Sequence, residues 1–460
     1  MKTIVLFGAG KSATVLINYL KQLATDRYCH IIIADAHLQL LQNKVGNSAF
    51  VSIAQINITD ELQRNSLIEK ADVVISLMPP TLHYLIATSC IYLKKHLLTA
   101  SYIDDDTKKL APKIEAANIL FLYEMGLDPG IDHMSAMQII DTIHDNGGII
   151  TSFISHCGGL IAPESDDNPW HYKISWNPKN IVMAGKAGAI YLEKNNIIHK
   201  KYDILFSDFA QADIQNLGQL AYYPNRDSLN YKEIYNLKNA GNFIRTTLRH
   251  PNFLIGWAQI VHLKLTDETP FYPTDNTTIT HFFNNHLKRF DLYGIYKEAI
   301  SNSSVLKNQF NFLFADDTTL INKGYCSAAD ILQFIIEQKL QLQNTDKDMI
   351  VMQHEIGYEI EKEKNAQITT NKNKIAIDTQ LASNHKQLII STLTVLGESN
   401  TTTAMAKTVG LPLGIAAKMI LENKILLRGL KIPIDKEIYK PVLKELKNWG
   451  ITFNETTTKL

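Results

Sequence analysis

The sequence predicts an α/β fold: a Rossmann-like nucleotide-binding domain followed by at least one further domain. Three observations predict it. A glycine pattern follows the first apolar run, buried-strand segments then alternate with helical periodicity as far as Tyr123, and beyond Gly126 the texture shifts to polar and aromatic segments.

The first element is Ile4 to Phe7, a continuous apolar run of the kind a strand buried on both faces requires. It leads into Gly8-Ala9-Gly10-Lys11-Ser12-Ala13, and Ser12 to Leu20 then carries apolar residues at helical spacing. The string GAGKS invites reading as a triphosphate loop, but that loop needs a Gly five positions before the Gly-Lys pair, and Val5 stands there. As G-x-G-x-x-A the spacing suits a dinucleotide. Gly8 makes the tight turn, Gly10 lets backbone approach a pyrophosphate, and Ala13 packs the helix on the strand. Lys11 and Ser12 open the helix, whose free amides favour an anion.

The second strand, His30 to Ala36, ends on Asp35, 25 residues beyond Gly10. An acid near this spacing hydrogen-bonds the adenosine ribose of NAD and repels the extra phosphate of NADP. NAD is therefore the expected cofactor, with NADP as second choice; a solvated strand-end carboxylate is the alternative role for Asp35. A third strand, Ala71 to Leu77, runs into Met78-Pro79-Pro80, where prolines end it and leave a loop at Leu77 for a nicotinamide ribose. LLTASYI and ILFLYEM supply the fourth and fifth strands.

Composition narrows the function. Lysine plus arginine equals aspartate plus glutamate, 46 against 46, so no net field draws nucleic acid or an anionic membrane. The expected partner is a small molecule. Cys29, Cys90, Cys157 and Cys326 lack C-x-x-C spacing, which argues against zinc and a disulfide framework, and no metal is expected. No signal peptide or span-length apolar stretch is read, so the expectation is a cytoplasmic enzyme.

YEMGLDPGIDHMSA, Tyr123 to Ala136, places Asp128 in a turn at the carboxyl edge of the parallel sheet, where such sheets bind ligands. Asp132 reads as the N-cap of the following helix. In SHCGGLIAPESDDNPWHYKISWNP, Cys157 is either a nucleophile without an adjacent base or a buried thiol. Trp176 either flanks a ligand or packs in the core. SFISHCGG and YKISWNP read as strands, and helices follow from about Tyr231 to Gln343. Arg226, Arg245 and Arg249 suit carboxylate recognition, although Arg226 in its turn could equally pair with Asp227. DMIVMQHEIGYEIE has strand character, the run Lys362 to Lys374 reads as an exposed hairpin or loop, and helical periodicity returns from about Thr392.

FGAGKSA, TASYI, EMGLDPGIDHMSA, HCGGLIAPESDDNPWHYKISWNP, YPNRDSL, FIRTTLRHPNF, VMQHEIGYEI and MAKTVGLPLGIAAKMIL together resemble the glutamate-forming saccharopine dehydrogenase family over nearly the whole chain. The resemblance implies oxidation of saccharopine, a secondary amine, by a nicotinamide cofactor to glutamate and 2-aminoadipate 6-semialdehyde. It also implies substrate contacts from Ser101, Tyr102, Asp128, Arg226 and Thr247, and nicotinamide contacts from Leu127, Asp128, Pro129 and Trp176. Cys157 would line the pocket and is counted with Asp128 among the catalytic candidates. The resemblance further implies a second α/β domain that helps hold substrate, with a small helical insertion, and C-terminal helices that return to the nucleotide domain, so the expected domains are 1–125 completed by helices of 392–460, and 126–391 with the insertion at about 210–343. A homodimer is the expected assembly. Ile161 and Thr246 stand where many relatives have proline and glycine, which bears on substrate fit. A carboxynorspermidine or homospermidine synthase, or a non-catalytic NAD-binding protein, are the competing readings.

Overall fold

The computed structural model describes residues 1–46, 48–360, 369–371, 374–376 and 385–460. Six parallel strands come first: β1 (Thr3–Phe7), β2 (His30–Asp35), β3 (Val51–Gln55), β4 (Val73–Ser76), β5 (His96–Thr99) and β6 (Leu120–Leu122). Late in the chain β20 (Gly429–Lys431) joins them, giving the order β20-β6-β5-β4-β1-β2-β3. Helices α1 (Thr14–Thr25), α2 (Leu38–Val45), α3 (Glu61–Ile68), α4 (Pro80–Tyr92), α5 (Asp105–Lys109) and α6 (Ala111–Ala116) form the crossovers. The strand order reverses between β1 and β4, which opens a crevice at their carboxyl ends.

Apolar runs explain this sheet: Ile4, Val5, Leu6 and Phe7 are all at most 1% exposed, split between cores on the two faces. The strand β3 was not among the sequence expectations. Its segment VSIAQ lies at the sheet edge, largely uncovered beyond Val51, so it lacks the continuous apolar signal.

After α7 (Ile131–Asp145) comes the second sheet, with strands β7 (Gly148–Ile161), β8 (Ala189–Glu193), β9 (Asn196–Lys200), β10 (Ala210–Ile214), β11 (Gly218–Pro224), β12 (Arg226–Asp227), β13 (Asn242–Arg249), β16 (Asp348–Ile360), β19 (His385–Leu396) and β21 (Asn454–Lys459). Its spine runs β10-β11-β13-β7-β16-β19-β21, and β8 branches from β13 to hold β9 and β12. Residues 210–249, expected inside a helical insertion, thus contain four strands of this sheet, β10 to β13. The helical part begins at Pro251 and packs a separate aromatic core around Trp170, Trp257 and Phe282, with β14 (Phe271–Pro273) and β15 (Tyr325–Ser327) as a small antiparallel pair. YKISWNP is not a strand; Ile174 makes only an isolated bridge to Gln341.

Of the run Lys362 to Lys374, most residues lie outside those described; β17 (Thr369–Asn371) and β18 (Lys374–Ala376) pair antiparallel. The C-terminal segment serves both sheets. Helix Ala404–Leu421 packs on α1, where a Cβ on Gly410 would stand 2.9 Å from Leu16 Cβ, so glycine permits the close approach. That helix is long and apolar enough to cross a membrane, against the sequence expectation, but 83% of it is buried inside the protein. It is a core helix here.

Candidate functional site

At the crevice, Gly8 has φ +98°, and a Cβ there would lie 2.9 Å from the Leu77 carbonyl carbon and oxygen. Only glycine turns the chain this way so close to the loop after β4. Gly10 is exposed and has open space where a Cβ would stand, followed by a 3-10 turn over Lys11–Ala13. Ala13 is buried against the core, Ser12 is half-buried and Lys11 is exposed. The open turn at a helix N-terminus fits a dinucleotide pyrophosphate. Asp35 Oδ2 accepts the Ala9 N–H at 2.8 Å and Oδ1 the His37 N–H at 3.0 Å, which ties its carboxylate to the glycine turn. Lys44, which the sequence reading passed over, reaches back from α2 to the Gly10 carbonyl and to Thr14 Oγ1 at 2.9 Å. Burial pushes its ammonium down to about 8, with Asp35 opposing.

Beyond the strand ends lies a buried charge cluster. Arg245 Nη2 donates to Asp128 Oδ1 at 2.6 Å and to Asp132 Oδ2 at 2.7 Å, so one nitrogen holds two carboxylates. Tyr102 OH donates to the same Asp128 oxygen at 3.0 Å. Asp132 is not the N-cap expected from sequence: Gly130 holds that position, and Asp132 Oδ1 accepts the Gly130 N–H at 2.6 Å from inside the first turn. Burial raises the Asp128 carboxyl above its ordinary value despite Arg245, and the Asp132 charge adds to the rise. For Asp132 burial acts the same way, but His133, Arg245 and the Gly130 amide outweigh it and hold the carboxyl down. The pair therefore splits into a carboxyl that keeps its proton longer and a carboxylate that stays charged.

A second ring of groups backs this pair. Glu124, at φ +56°, accepts from Tyr231 OH at 2.9 Å and lies 2.8 Å from His133 Nε2, while His133 Nδ1 meets Tyr235 OH. The Arg245 guanidinium lies 4.5 Å over the Tyr231 ring. None of Glu124, His133, Tyr231 and Tyr235 was singled out for such a role from sequence, because their partners come from α7, the segment after β12, and β13.

The face of the second sheet that meets the first domain is set by strand alternation. Arg245, Thr247 and Arg249 share one face of β13, and in register Thr247 stands opposite Cys157 of β7. Cys157 is 6% exposed and packs with Leu127, Met352 and Met405. Burial, with Asp128 and Asp132 nearby, pushes its thiol well up, so Cys157 stands beside the cluster as a buried thiol that keeps its proton. Arg249 is 5% exposed, lies 5.4 Å over the Tyr172 ring, and among the described residues its Nε has no hydrogen-bond partner. Trp176 is half-buried, donates to Tyr172 OH at 3.2 Å, and packs against both the nucleotide-domain core and the helical core. Arg226, exposed and at φ +53°, lies 5.1 Å over the Tyr102 ring, and among the described residues no carboxylate pairs with it. Asp227 instead accepts the Leu229 N–H at 2.8 Å. Leu127 and Pro129 are buried in the turn carrying Asp128, and Ser101 sits half-buried before Tyr102.

At the crevice, Arg245 and Arg249 of β13 meet the glycine turn's sheet, while the turn after β6 and the first turn of α7 supply Asp128 and Asp132. The models of the saccharopine dehydrogenase NADP binding domain and the saccharopine dehydrogenase C-terminal domain match residues 4–122 and 126–451, and the chain belongs to this family. It is 33% identical over 453 residues to the alpha-aminoadipic semialdehyde synthase of Arabidopsis thaliana, covering 93% of this chain and 40% of the relative. Against the mitochondrial alpha-aminoadipic semialdehyde synthase of Bos taurus it is 33% identical over 476 residues, 99% of this chain and 48% of the relative. The chain thus spans less than half the length of these two. The saccharopine dehydrogenase [NADP(+), L-glutamate-forming] of Saccharomyces cerevisiae is 30% identical with 99% of both chains covered. Its apo structure superposes with a TM-score of 0.84 at 29% identity over 100% of both chains. The Legionella pneumophila homospermidine synthase, in complex with NAD, shares the fold at TM-score 0.54 and 11% identity, covering 99% of this chain and 91% of that one.

Proposed function

We propose that this protein oxidises saccharopine to glutamate and 2-aminoadipate 6-semialdehyde. The observation that carries the reading is the Asp128–Arg245–Asp132 cluster at the carboxyl edge of the dinucleotide sheet, flanked by Arg226 and Arg249, which have no carboxylate partner among the described residues. A substrate with several carboxylates and a secondary amine supplies what these groups lack. The bound nicotinamide ring would accept a hydride from the ε carbon of the lysine-derived arm.

The residues of this chain manage protons and orientation. Asp128, with its raised carboxyl, takes the amine proton as the carbon–nitrogen double bond forms, returns it to the imine nitrogen, and as a carboxylate again takes a proton from the water that adds to the carbon and releases glutamate. Arg245 holds Asp128 in place and Asp132 balances the arginine, while Tyr102 steers the remaining lone pairs. Arg226, Arg249, Ser101 and Thr247 would hold the carboxylate ends, and Leu127, Pro129 and Trp176 would border the nicotinamide. Fixing the reacting carbons at near contact is the larger part of such a reaction. Cofactor choice is balanced. Asp35 supports NAD, whereas Lys44 beside it, with NADP in the names of the yeast relative and of the matching domain, supports NADP as well. A homodimer and a cytoplasmic location remain part of the proposal.

Asp128→Asn tests the proton role. The account expects a loss of roughly 10²- to 10⁴-fold in kcat, with cofactor affinity kept. In the unsubstituted protein the acidic limb of kcat/KM should lie above the ordinary carboxylate range, because the base is lost as Asp128 gains its proton. Full activity in the variant would refute the role.

A further inference from the structure

His83, in the first turn of α4, takes no part in the chemistry above, yet it is 1% exposed and bridges two strand ends. Its Nδ1 lies 2.9 Å from Ser76 Oγ, the last residue of β4, and its Nε2 lies 2.8 Å from Ser101 Oγ, just past β5. Thr99 Oγ1 stands 3.4 Å from the same Nε2 and accepts the Ser101 N–H at 3.3 Å. The loop after Ser76 begins with Leu77, against which Gly8 packs. The residue after Ser101 is Tyr102, the partner of Asp128. One imidazole therefore joins the cofactor-side loop to the substrate-side loop.

Burial lowers the ring to about 4, against a weaker pull from Asp104, so it is neutral in ordinary buffers. A neutral imidazole offers one donor and one acceptor. Ser76 and Ser101 must then use their hydroxyls in opposite senses, one donating to the ring and the other accepting from it. The remaining hydrogen-bonding capacity of Ser101 is fixed in direction and points away from the ring.

We propose that His83 is a positioning residue that orients the Ser101 hydroxyl toward the polar groups of the bound substrate. The proposal rests on saccharopine as substrate. Two variants separate positioning from folding, since each removes one of the two hydrogen bonds. His83→Gln places its amide where Nε2 stands and keeps the link to Ser101. His83→Asn reaches only as far as Nδ1 and keeps the link to Ser76.

The test measures saccharopine binding by calorimetry on cofactor-loaded protein, steady-state kcat and KM, cofactor affinity by reduced-nicotinamide fluorescence, and melting temperature. His83→Asn is expected to weaken saccharopine binding and raise KM by about tenfold, the scale of one hydrogen bond, while His83→Gln stays within about threefold. Melting temperatures of the two variants should fall together, and cofactor affinity should hold in both. Ser101→Ala should add less than about twofold in the His83→Asn background, because the two act as one unit. Equal losses in the two variants, or fully multiplicative losses with Ser101→Ala, would overturn the proposal while leaving the reaction standing. A parent protein that binds saccharopine without oxidising it overturns the reaction, and the same variants then decide the His83 role by calorimetry. Failure to bind saccharopine at all overturns both.

Discussion

In the seven-stranded sheet all strands run parallel, apolar residues fill both faces, and polar groups collect at the strand ends, as Ser76 and Asp35 do. In the ten-stranded sheet polar groups run along the strands themselves, with Arg245, Thr247 and Arg249 on β13, Ser155 on β7 and His354 on β16 sharing one face. The first sheet presents a ligand at an edge, and the second brings charged side chains down onto that edge from a broad surface. Burying such a surface is costly unless its charges are matched. The Asp128–Arg245–Asp132 cluster is where that matching is tightest.

The largest expected effect breaks that match. Arg245→Leu leaves Asp128 and Asp132 buried beside each other and should cost about 3–5 kcal/mol in denaturant unfolding, with one carboxyl forced to keep its proton. A loss below 1 kcal/mol would mean that the cluster is wetter than its geometry implies.

Acid sharpens the comparison next, because each sheet buries a neutral histidine. Burial lowers His83, beside the parallel sheet, and His354, within the mixed sheet, to about 4 from an ordinary 6.5. The unfolded chain binds their protons first, so stability is complete above about pH 6.5 and declines as pH falls toward 4. Each should contribute roughly 3 kcal/mol to that decline, and replacing either by Gln should flatten it. An unfolding free energy that is level between pH 7 and 4 would contradict this.

Smaller effects belong to the crevice edge. Gly8→Ala should cost about 1–3 kcal/mol and weaken cofactor binding, since φ is +98° and Leu77 backbone blocks the new methyl. Melting temperature and nicotinamide fluorescence read both. Asp35→Ala should shift the ratio of NAD to NADP affinities about tenfold toward NADP, roughly 1.4 kcal/mol. An unchanged ratio would assign the balance to other groups.

The difference between the sheets also explains what the sequence made legible. Runs such as IVLF and HIIIAD announce the parallel strands because both faces are apolar, whereas β3 at the edge and the three-residue β20 carry no such signal. NFIRTTLR conceals a central strand because the arginines on its inner face look like surface residues. GLDPG located Asp128, but Asp132 looked like an ordinary cap. Its true partner, Arg245, lies 113 positions away, and only the fold makes them neighbours. Lys44 was invisible for a related reason, since nothing local ties an exposed-looking helix lysine to the Gly10 carbonyl.

The measurement that tests the central claim most directly is incubation of the purified protein with saccharopine and NAD or NADP, following reduced nicotinamide and free glutamate together. The account predicts that both accumulate in equal amounts, with 2-aminoadipate 6-semialdehyde as co-product. No reduction of either cofactor, or reduction without glutamate release, would contradict it.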